Sequence, residues 1–313
     1  MAEPVALLDV GGFRPEVADK VLRLMPVLDR IRSHPFLGTR VCLHGGTALN
    51  LFVLRAPRLS VDIDLNYIAN TDREAMMADR PRIENAIVQV GQELGFNVLP
   101  KASQHAGRSF LLKYQSGHGV DQVKIDVDYL NRAPLLPVQS ATLRLASGAD
   151  LVFPLNSTIE LFAGKTKALL ERVAVRDLYD VSSINVAYSA LLERGDSRLL
   201  RRVMLYYLSV SAPFPRPFQV ASRFSGRDRD VVDALYPVLL PGDRPTLAAM
   251  IETAEQFVAT VSQPVDASEA EYVERASRAD FAPELLFADY PATLSAAQAD
   301  PAAAWKIQNL AKR

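Results

Sequence analysis

Residues 44–65 read HGGTALNLFVLRAPRLSVDIDL and contain the pattern from which the fold is best predicted. Two glycines separate a short apolar run from a helical segment that extends from Thr47 to Leu54. Glycines at such a turn let the backbone approach a phosphate closely, and the amides at the start of the helix then point at the anion. Gly45, Gly46 and Thr47 are therefore predicted to form a phosphate-binding turn.

The second part of this segment alternates polar and apolar residues from Ser60 to Ile68, as a half-buried strand does. Side chains two residues apart on a strand share a face, so Asp62 and Asp64 are expected to project together. Two adjacent carboxylates repel each other, and a divalent cation relieves that repulsion. Magnesium prefers such hard oxygen ligands and is commonly shared with the phosphates of a substrate. The strand is predicted to carry a magnesium site.

A third acid is expected from a neighbouring strand, because residues 123–130 show the same alternation. Asp126 is the first choice and Asp128 the alternative. Three carboxylates could hold two metal ions that stabilise the attacking and leaving oxygens of an in-line displacement at phosphorus. Arg58 and Ser60 precede the acids by an even number of residues, so they would share the acidic face and bind phosphate if the strand begins that early.

A second group of charged residues lies further along the chain, on a predicted helix. Lys165 and Lys167 fall on opposite flanks of its apolar stripe, so only one of them can face a site. Lys165 and Arg172 lie about two turns apart on one side, where the lysine could reach a triphosphate. Asp177 and Asp180 have the spacing of a helix cap reinforced by an acid three residues later, which leaves a purely structural role as the alternative.

The apolar spacing divides the chain into two parts. Residues 1–154 are predicted to form an α+β domain with a mixed sheet. Its strands are expected near 40–43, 60–68, 109–114, 123–130 and 142–145, and its long helices over 15–33 and from about 80 to 94. The later helix is expected to start near Arg80 because Pro81 is tolerated only in a first turn. Residues 155–313 have helical spacing throughout, beginning at a capping-box sequence from Ser157 to Glu160, and are predicted to be mostly helical.

Composition narrows the possible functions. Of the 313 residues, 49% are hydrophobic, which is typical of a globular protein, and the one cysteine excludes internal disulfides and cysteine-based metal sites. A net charge of −1 argues against a protein that coats nucleic acid through bulk charge. Arginines cluster in the second half, which favours a local basic substrate face; they are Arg198, Arg201, Arg202, Arg216, Arg223, Arg227 and Arg229. Neither a signal peptide nor a membrane span is evident, so a cytoplasmic location is expected.

Several motifs together resemble the AbiEii family of nucleotidyltransferase toxins. They are GGTAL at 45–49, RLSVDID at 58–64, Lys165 and RDLYD at 176–180. The resemblance implies a DNA polymerase β-like nucleotidyltransferase domain followed by a mostly helical domain. Members of this family are toxins of bacterial toxin–antitoxin or phage-defence pairs, and some add nucleotides to the 3′ end of tRNA, which blocks aminoacylation.

The resemblance also implies roles for individual residues. Asp62 and Asp64 would hold metal, Lys165 would contact the nucleotide phosphates, and Asp177 would be the essential acid of the last motif, with Asp180 as the alternative. The expected reaction is a magnesium-dependent transfer of a nucleoside monophosphate from an NTP to tRNA, and a cognate antitoxin is the expected protein partner. Two alternatives remain: a small-molecule nucleotidyltransferase of the aminoglycoside type, and a catalytically silent nucleotide-binding protein.

Overall fold

The structure, a computed structural model, describes residues 5–104, 106–194 and 197–310. Contacts within the chain divide it into two units, which are described separately. The first unit extends to Asn156 and also contains Val238–Pro241. The second contains Ser157–Pro237 and the chain from Gly242 onward.

The first unit is built on one mixed sheet. Its eight strands are β1 (Ala6–Leu8), β2 (Val41–His44), β3 (Asp62–Tyr67), β4 (Asn97–Pro100), β5 (Gly107–Ser116), β6 (Gly119–Asp128), β7 (Gln139–Leu145) and β8 (Asp150–Leu155), in the spatial order β1-β7-β8-β2-β3-β6-β5-β4. β3 pairs antiparallel with β2 and parallel with β6, and β6 pairs antiparallel with β5. The two strands predicted to be acidic are therefore neighbours.

Two long helices, α1 (Pro15–Ser33) and α3 (Arg73–Glu93), contact the strands of this sheet. The side chain of Leu112 on β5 lies beside Gly91 of α3, so this face of the sheet is the one that α3 covers. Ile63 and Ile125 belong to the same face by alternation and register, and both are fully buried. The acids at alternate positions of β3 and β6 consequently lie on the opposite face.

The predicted boundaries of α1 are confirmed, whereas the predicted start of α3 is wrong. α3 begins at Arg73, and the side chain of Asp72 caps it by accepting a hydrogen bond from the amide of Ala75 at 2.8 Å. Pro81 lies inside the helix, on its exposed face. There water can hydrate the carbonyl that proline leaves without a donor, so the helix continues through the residue.

The second unit contains helices and no strand among the residues that the structure describes. The α-helices are α4 (Thr158–Glu171), α5 (Val175–Arg194), α6 (Ser197–Ser209), α7 (Val220–Phe224), α8 (Asp228–Asp230), α9 (Leu247–Ser262), α10 (Ala267–Ser277), α11 (Glu284–Phe287), α12 (Pro291–Gln298) and α13 (Pro301–Leu310), and a π-helical segment, Val231–Leu235, follows α8. The Ser157 hydroxyl caps α4 by accepting from the Glu160 amide at 3.2 Å. Among the described residues, no helix is long and apolar enough to cross a membrane.

The arginines of α6 do not form the basic substrate face that was expected. Arg202 is 2% exposed and pairs with Asp266 and Glu269, and Glu269 also pairs with Arg201. Most of the other arginines in that group are engaged as well: Arg198, Arg227 and Arg229 pair with acids, and Arg223 donates to the carbonyls of Leu170 and Glu171. For α6 the prediction was wrong because acids distant in sequence neutralise Arg201 and Arg202. Arg227 and Arg229 pair instead with acids three and four residues later.

Candidate active site

Four polar side chains form a row across neighbouring strands of the first unit. His44 on β2 is the register partner of Asp64 on β3, Asp64 is that of Asp126 on β6, and Asp126 is that of Ser109 on β5. Register partners project from the same face of a sheet. Asp62, two residues before Asp64, shares this face. The sheet therefore brings the two predicted metal ligands and the first-choice third acid together.

The Gly-Gly turn lies directly against these acids. Gly45 has a φ of 67°, a left-handed conformation that favours glycine, and a Cβ atom there would overlap the carboxylate of Asp64. A Cβ atom at Gly46 would lie 2.8 Å from the Ser60 hydroxyl and 3.2 Å from Nη2 of Arg58. Side chains of the protein itself therefore leave no room for a Cβ atom at either glycine. This constraint does not depend on a bound phosphate.

The helical turn after the glycines is short and irregular. It comprises α2 (Gly45–Thr47) and a π-helical segment, Ala48–Val53. The Thr47 side chain is fully buried, and its hydroxyl donates a hydrogen bond to the backbone carbonyl of Asp62. Asn50 donates to the carbonyl of Gly46 at 3.0 Å. The Thr47 hydroxyl therefore joins the turn to the start of β3.

Arg58 and Ser60 lie beside the turn, but for a different reason from the one predicted. β3 begins at Asp62, so neither residue belongs to the strand and the alternation argument does not apply to them. Both are nonetheless buried next to Gly46, and Nη1 of Arg58 donates to the carbonyl of Leu59 at 3.0 Å. The segment before β3 places a guanidinium and a hydroxyl against the Gly-Gly turn.

Lys124 contacts the acidic row directly. Its Nζ lies 2.5 Å from Oδ2 of Asp126, and the Ser109 hydroxyl donates to Oδ1 of Asp126 at 2.5 Å. Burial lowers the pKa of Lys124, but the hydrogen bond and charge of Asp126, with the charges of Asp62 and Asp64, outweigh it and raise that pKa above its usual value. The acidic face therefore favours a positive charge.

The two candidates for the third acid have different environments. Asp128 accepts hydrogen bonds from the backbone amides of Leu130 and Asn131 and from the Asn131 side chain, so it stabilises the turn after β6. Asp126 lies directly opposite Asp64. Within the described residues, no three or more His, Cys, Asp or Glu side chains are arranged so that they could hold one metal ion. Asp126 as a metal ligand stays a prediction.

A pocket of about 340 Å³ adjoins the acids on the same unit. Its lining includes His44, Asp64, Lys101, Arg108, Ser109 and Asp126. The volume lies within the range of small-ligand sites, about 300–1,000 Å³. Ser109 and the cations Lys101 and Arg108 were not predicted as site residues. Ser109 lies in the site because β5 pairs with β6. The residues around Ser109 in the sequence do not indicate this pairing.

The second predicted cluster forms a buried ion-pair network within the second unit. Nζ of Lys165 lies 2.9 Å from Oδ1 of Asp177 and 3.0 Å from Oδ2 of Asp180, and the three side chains are 6%, 2% and 0% exposed. Nε of Arg172 donates to Oδ2 of Asp177 at 2.6 Å. α5 begins at Val175, so Asp177 lies in its first turn and does not occupy the cap position. The network joins α4 to α5.

The two charges around Asp177 determine its protonation. Burial raises the pKa of the Asp177 carboxyl, but the ammonium of Lys165 and the guanidinium of Arg172 more than offset burial and hold that pKa below its usual value. Lys167 lies elsewhere on α4, with its Nζ 3.7 Å from Oε1 of Glu171, four residues later. The two lysines of α4 therefore have different surroundings.

Two carboxylates on one strand of a mixed sheet, directly against a Gly-Gly turn, are the arrangement that the resemblance to nucleotidyltransferases implies. The family follows from the sequence: residues 26–309 match the family described as "Nucleotidyl transferase AbiEii toxin, Type IV TA system". The chain belongs to this family of nucleotidyltransferase toxins.

Solved structures support the same fold. MenT4, a nucleotidyltransferase toxin from Mycobacterium tuberculosis H37Rv, superposes with a TM-score of 0.54 at 18% identity, over 86% of this chain and 96% of its own. JHP933 from Helicobacter pylori gives a TM-score of 0.50 at 14% identity, over 80% of this chain and 93% of its own. No curated protein has significant sequence similarity to the chain. The resemblance inferred from the motifs is thus confirmed, as is the α+β fold class.

Proposed function

We propose that this nucleotidyltransferase moves a nucleoside monophosphate from an NTP to the 3′-terminal hydroxyl of tRNA and releases pyrophosphate. One observation carries the proposal: the carboxylates on β3 lie on one face, with Asp126 opposite Asp64 and a pocket of suitable size beside them. The family supplies the class of reaction, and the pocket suggests where an acceptor would bind.

Asp62 and Asp64 are the residues that would hold magnesium. They supply hard oxygen ligands from one face, and the ammonium of Lys124 already lies near them, so this face accommodates positive charge. Two carboxylates suffice because magnesium is usually completed by the phosphates of its substrate. Bound there, the ion supplies charge stabilisation for the triphosphate and the leaving pyrophosphate. Ser60, Arg58 and the Gly-Gly turn are the proposed phosphate contacts.

The pocket is the proposed site of the acceptor's terminal nucleoside. Lys101 lines it, and cationic side chains are the usual contacts for RNA phosphates, whereas the guanidinium of Arg108 pairs with Glu84. A nucleoside in this pocket would have its 3′-hydroxyl near Asp64 and Asp126. That oxygen forms the new bond to the α-phosphorus, the bond from the α-phosphorus to the bridging oxygen breaks, and pyrophosphate leaves. Asp126 is the proposed acceptor of the hydroxyl proton.

The roles implied for Lys165 as a phosphate contact and for Asp177 as the essential acid stay predictions. A cognate antitoxin, which the family implies, is the expected partner. An enzyme that acts on tRNA would work in the cytoplasm.

The test is incubation of the purified protein with total tRNA, magnesium and each of the four NTPs labelled at the α-phosphate. We expect label at the tRNA 3′ end, and none with Asp64→Asn. Asp150→Asn is the matched control, because it removes an exposed carboxylate from another strand of the same sheet. Label transfer to an aminoglycoside but not to RNA would select the small-molecule alternative. No transfer to either acceptor with any nucleotide would contradict the proposal.

A further inference from the structure

Lys124 lies among the three acids of the candidate active site, on the same sheet face. It lies on β6 as the register partner of Asp62, and its ammonium contacts Asp126 two residues later. Asp126 has no oxygen left without a contact, because the Ser109 hydroxyl binds the other one. The acid that lies directly opposite Asp64 is therefore held by two groups of the protein itself.

An ammonium and a divalent cation that lie among the same carboxylates repel each other, so each weakens the binding of the other. The ammonium of Lys124 reduces the repulsion among Asp62, Asp64 and Asp126, which is the same electrostatic contribution that a metal ion would make. Its side chain is 42% exposed, and a lysine stem is flexible, so the ammonium can leave without disturbing the core.

We propose that Lys124 is an internal counter-cation that competes with the metal for the acidic face of Asp62, Asp64 and Asp126. It stabilises the acidic face before metal binds and weakens metal binding until the ammonium is displaced. This inference rests on the metal site of the proposed function.

The experiment is a titration with Mn²⁺ alone, without nucleotide, in which free Mn²⁺ is followed by electron paramagnetic resonance. Lys124→Gln should bind Mn²⁺ about tenfold more tightly than the wild type, the order expected for removing one partly solvated unit charge nearby. Lys113→Gln is the matched control. Lys113 lies on the same sheet face, on β5, and has no ion pair in the described structure. The Mn²⁺ affinity of Lys113→Gln should differ from that of the wild type by less than about twofold.

A second measurement separates this role from a purely structural one. In EDTA, Lys124→Gln should melt at a lower temperature than the wild type, and saturating Mn²⁺ should remove the difference. Equal Mn²⁺ affinities of Lys124→Gln and the wild type would overturn the inference and leave the metal site intact. Weaker binding by the variant would overturn it too. No Mn²⁺ binding by either protein would overturn both the inference and the metal site.

Discussion

At the scale of single residues, both the backbone conformation of Gly45 and its contact with Asp64 exclude a side chain at this position. Its φ of 67° is unfavourable for a residue with a side chain, and its missing Cβ leaves room for the Asp64 carboxylate. The sequence predicted this glycine as a site residue because it lets the backbone approach a phosphate, and that role stays a prediction. The need to leave room for the Asp64 carboxylate could not be predicted, because Asp64 lies 19 residues later and approaches Gly45 only through the pairing of β2 with β3.

Gly45→Ala should therefore displace Asp64. We expect the free energy of unfolding to fall by about 1–3 kcal/mol, from the left-handed backbone and the forced movement of the carboxylate, together with a loss of transfer activity. Denaturant unfolding and the labelled-tRNA assay measure the two effects. Gly117→Ala is the control, since nothing lies within 4 Å of the added Cβ. Normal activity of Gly45→Ala would contradict the geometry described for Asp64.

Asp177 provides a prediction about acid stability. Its pKa is lowered in the folded chain, so its contribution to stability is fully present above the unfolded value of about 3.9 and is lost as pH falls through the lower folded value. At neutral pH Asp177→Asn should melt well below the wild type. The gap should narrow below about pH 4, where the wild-type carboxyl becomes protonated and resembles the amide. A gap that stays constant from pH 6 to pH 2 would rule out this explanation.

At the scale of elements, the sequence predicted α1 and five of the eight strands, but not β1, β4 and β8 or the register of the sheet. α1 has the predicted boundaries because Val21, Leu24, Leu28 and Ile31 repeat at helical spacing, and all four are fully buried. β1 and β4, with three and four residues, are too short to show an alternating period. The row from His44 to Ser109 depends on strand register, which arises between segments distant in sequence.

The pairing of α4 with α5 yields a prediction that separates its two lysines. Lys165→Ala would leave the buried Asp177 and Asp180 without their shared cation, which should cost about 3–5 kcal/mol of unfolding free energy. Lys167→Ala removes a partly exposed i,i+4 pair and should cost about 0.5 kcal/mol or less. Denaturant unfolding of both variants is the measurement. Similar losses at the two positions would mean that the network does not hold the helices together.

The turnover of Lys165→Ala and Lys167→Ala must be interpreted together with their expected difference in unfolding free energy. The role implied for Lys165 predicts a loss of turnover on the order of 100-fold, by analogy with removing one preorganised charge-stabilising group. A destabilised protein would also lose activity simply because less of it is folded. The turnover of Lys165→Ala should therefore be measured where unfolding data show the variant to be folded. A large loss at Lys167 with normal turnover at Lys165 would transfer the phosphate-binding role to Lys167.

At the scale of the whole molecule, the net charge limits how a toxin of this family could act. A chain with a net charge of −1, whose arginines on α6 are paired with acids, lacks the general electrostatic attraction that sequestration of tRNA would need. Growth arrest by this chain would therefore depend on turnover, because one active molecule can modify many acceptors. The chemistry at Asp62 and Asp64 should then be the cause of toxicity.

Expression of the wild-type chain in a bacterial host should accordingly arrest growth, and Asp62→Ala should relieve the arrest. The substitution removes a half-buried carboxylate from a group of like charges, so it should leave the fold intact. Asp150→Ala removes an exposed carboxylate from β8 and should remain toxic. Colony counts, with immunoblots of the soluble fraction, compare the three proteins at equal expression. Equal arrest by the wild type and Asp62→Ala, both soluble and folded, would show that binding a cellular partner is sufficient for toxicity.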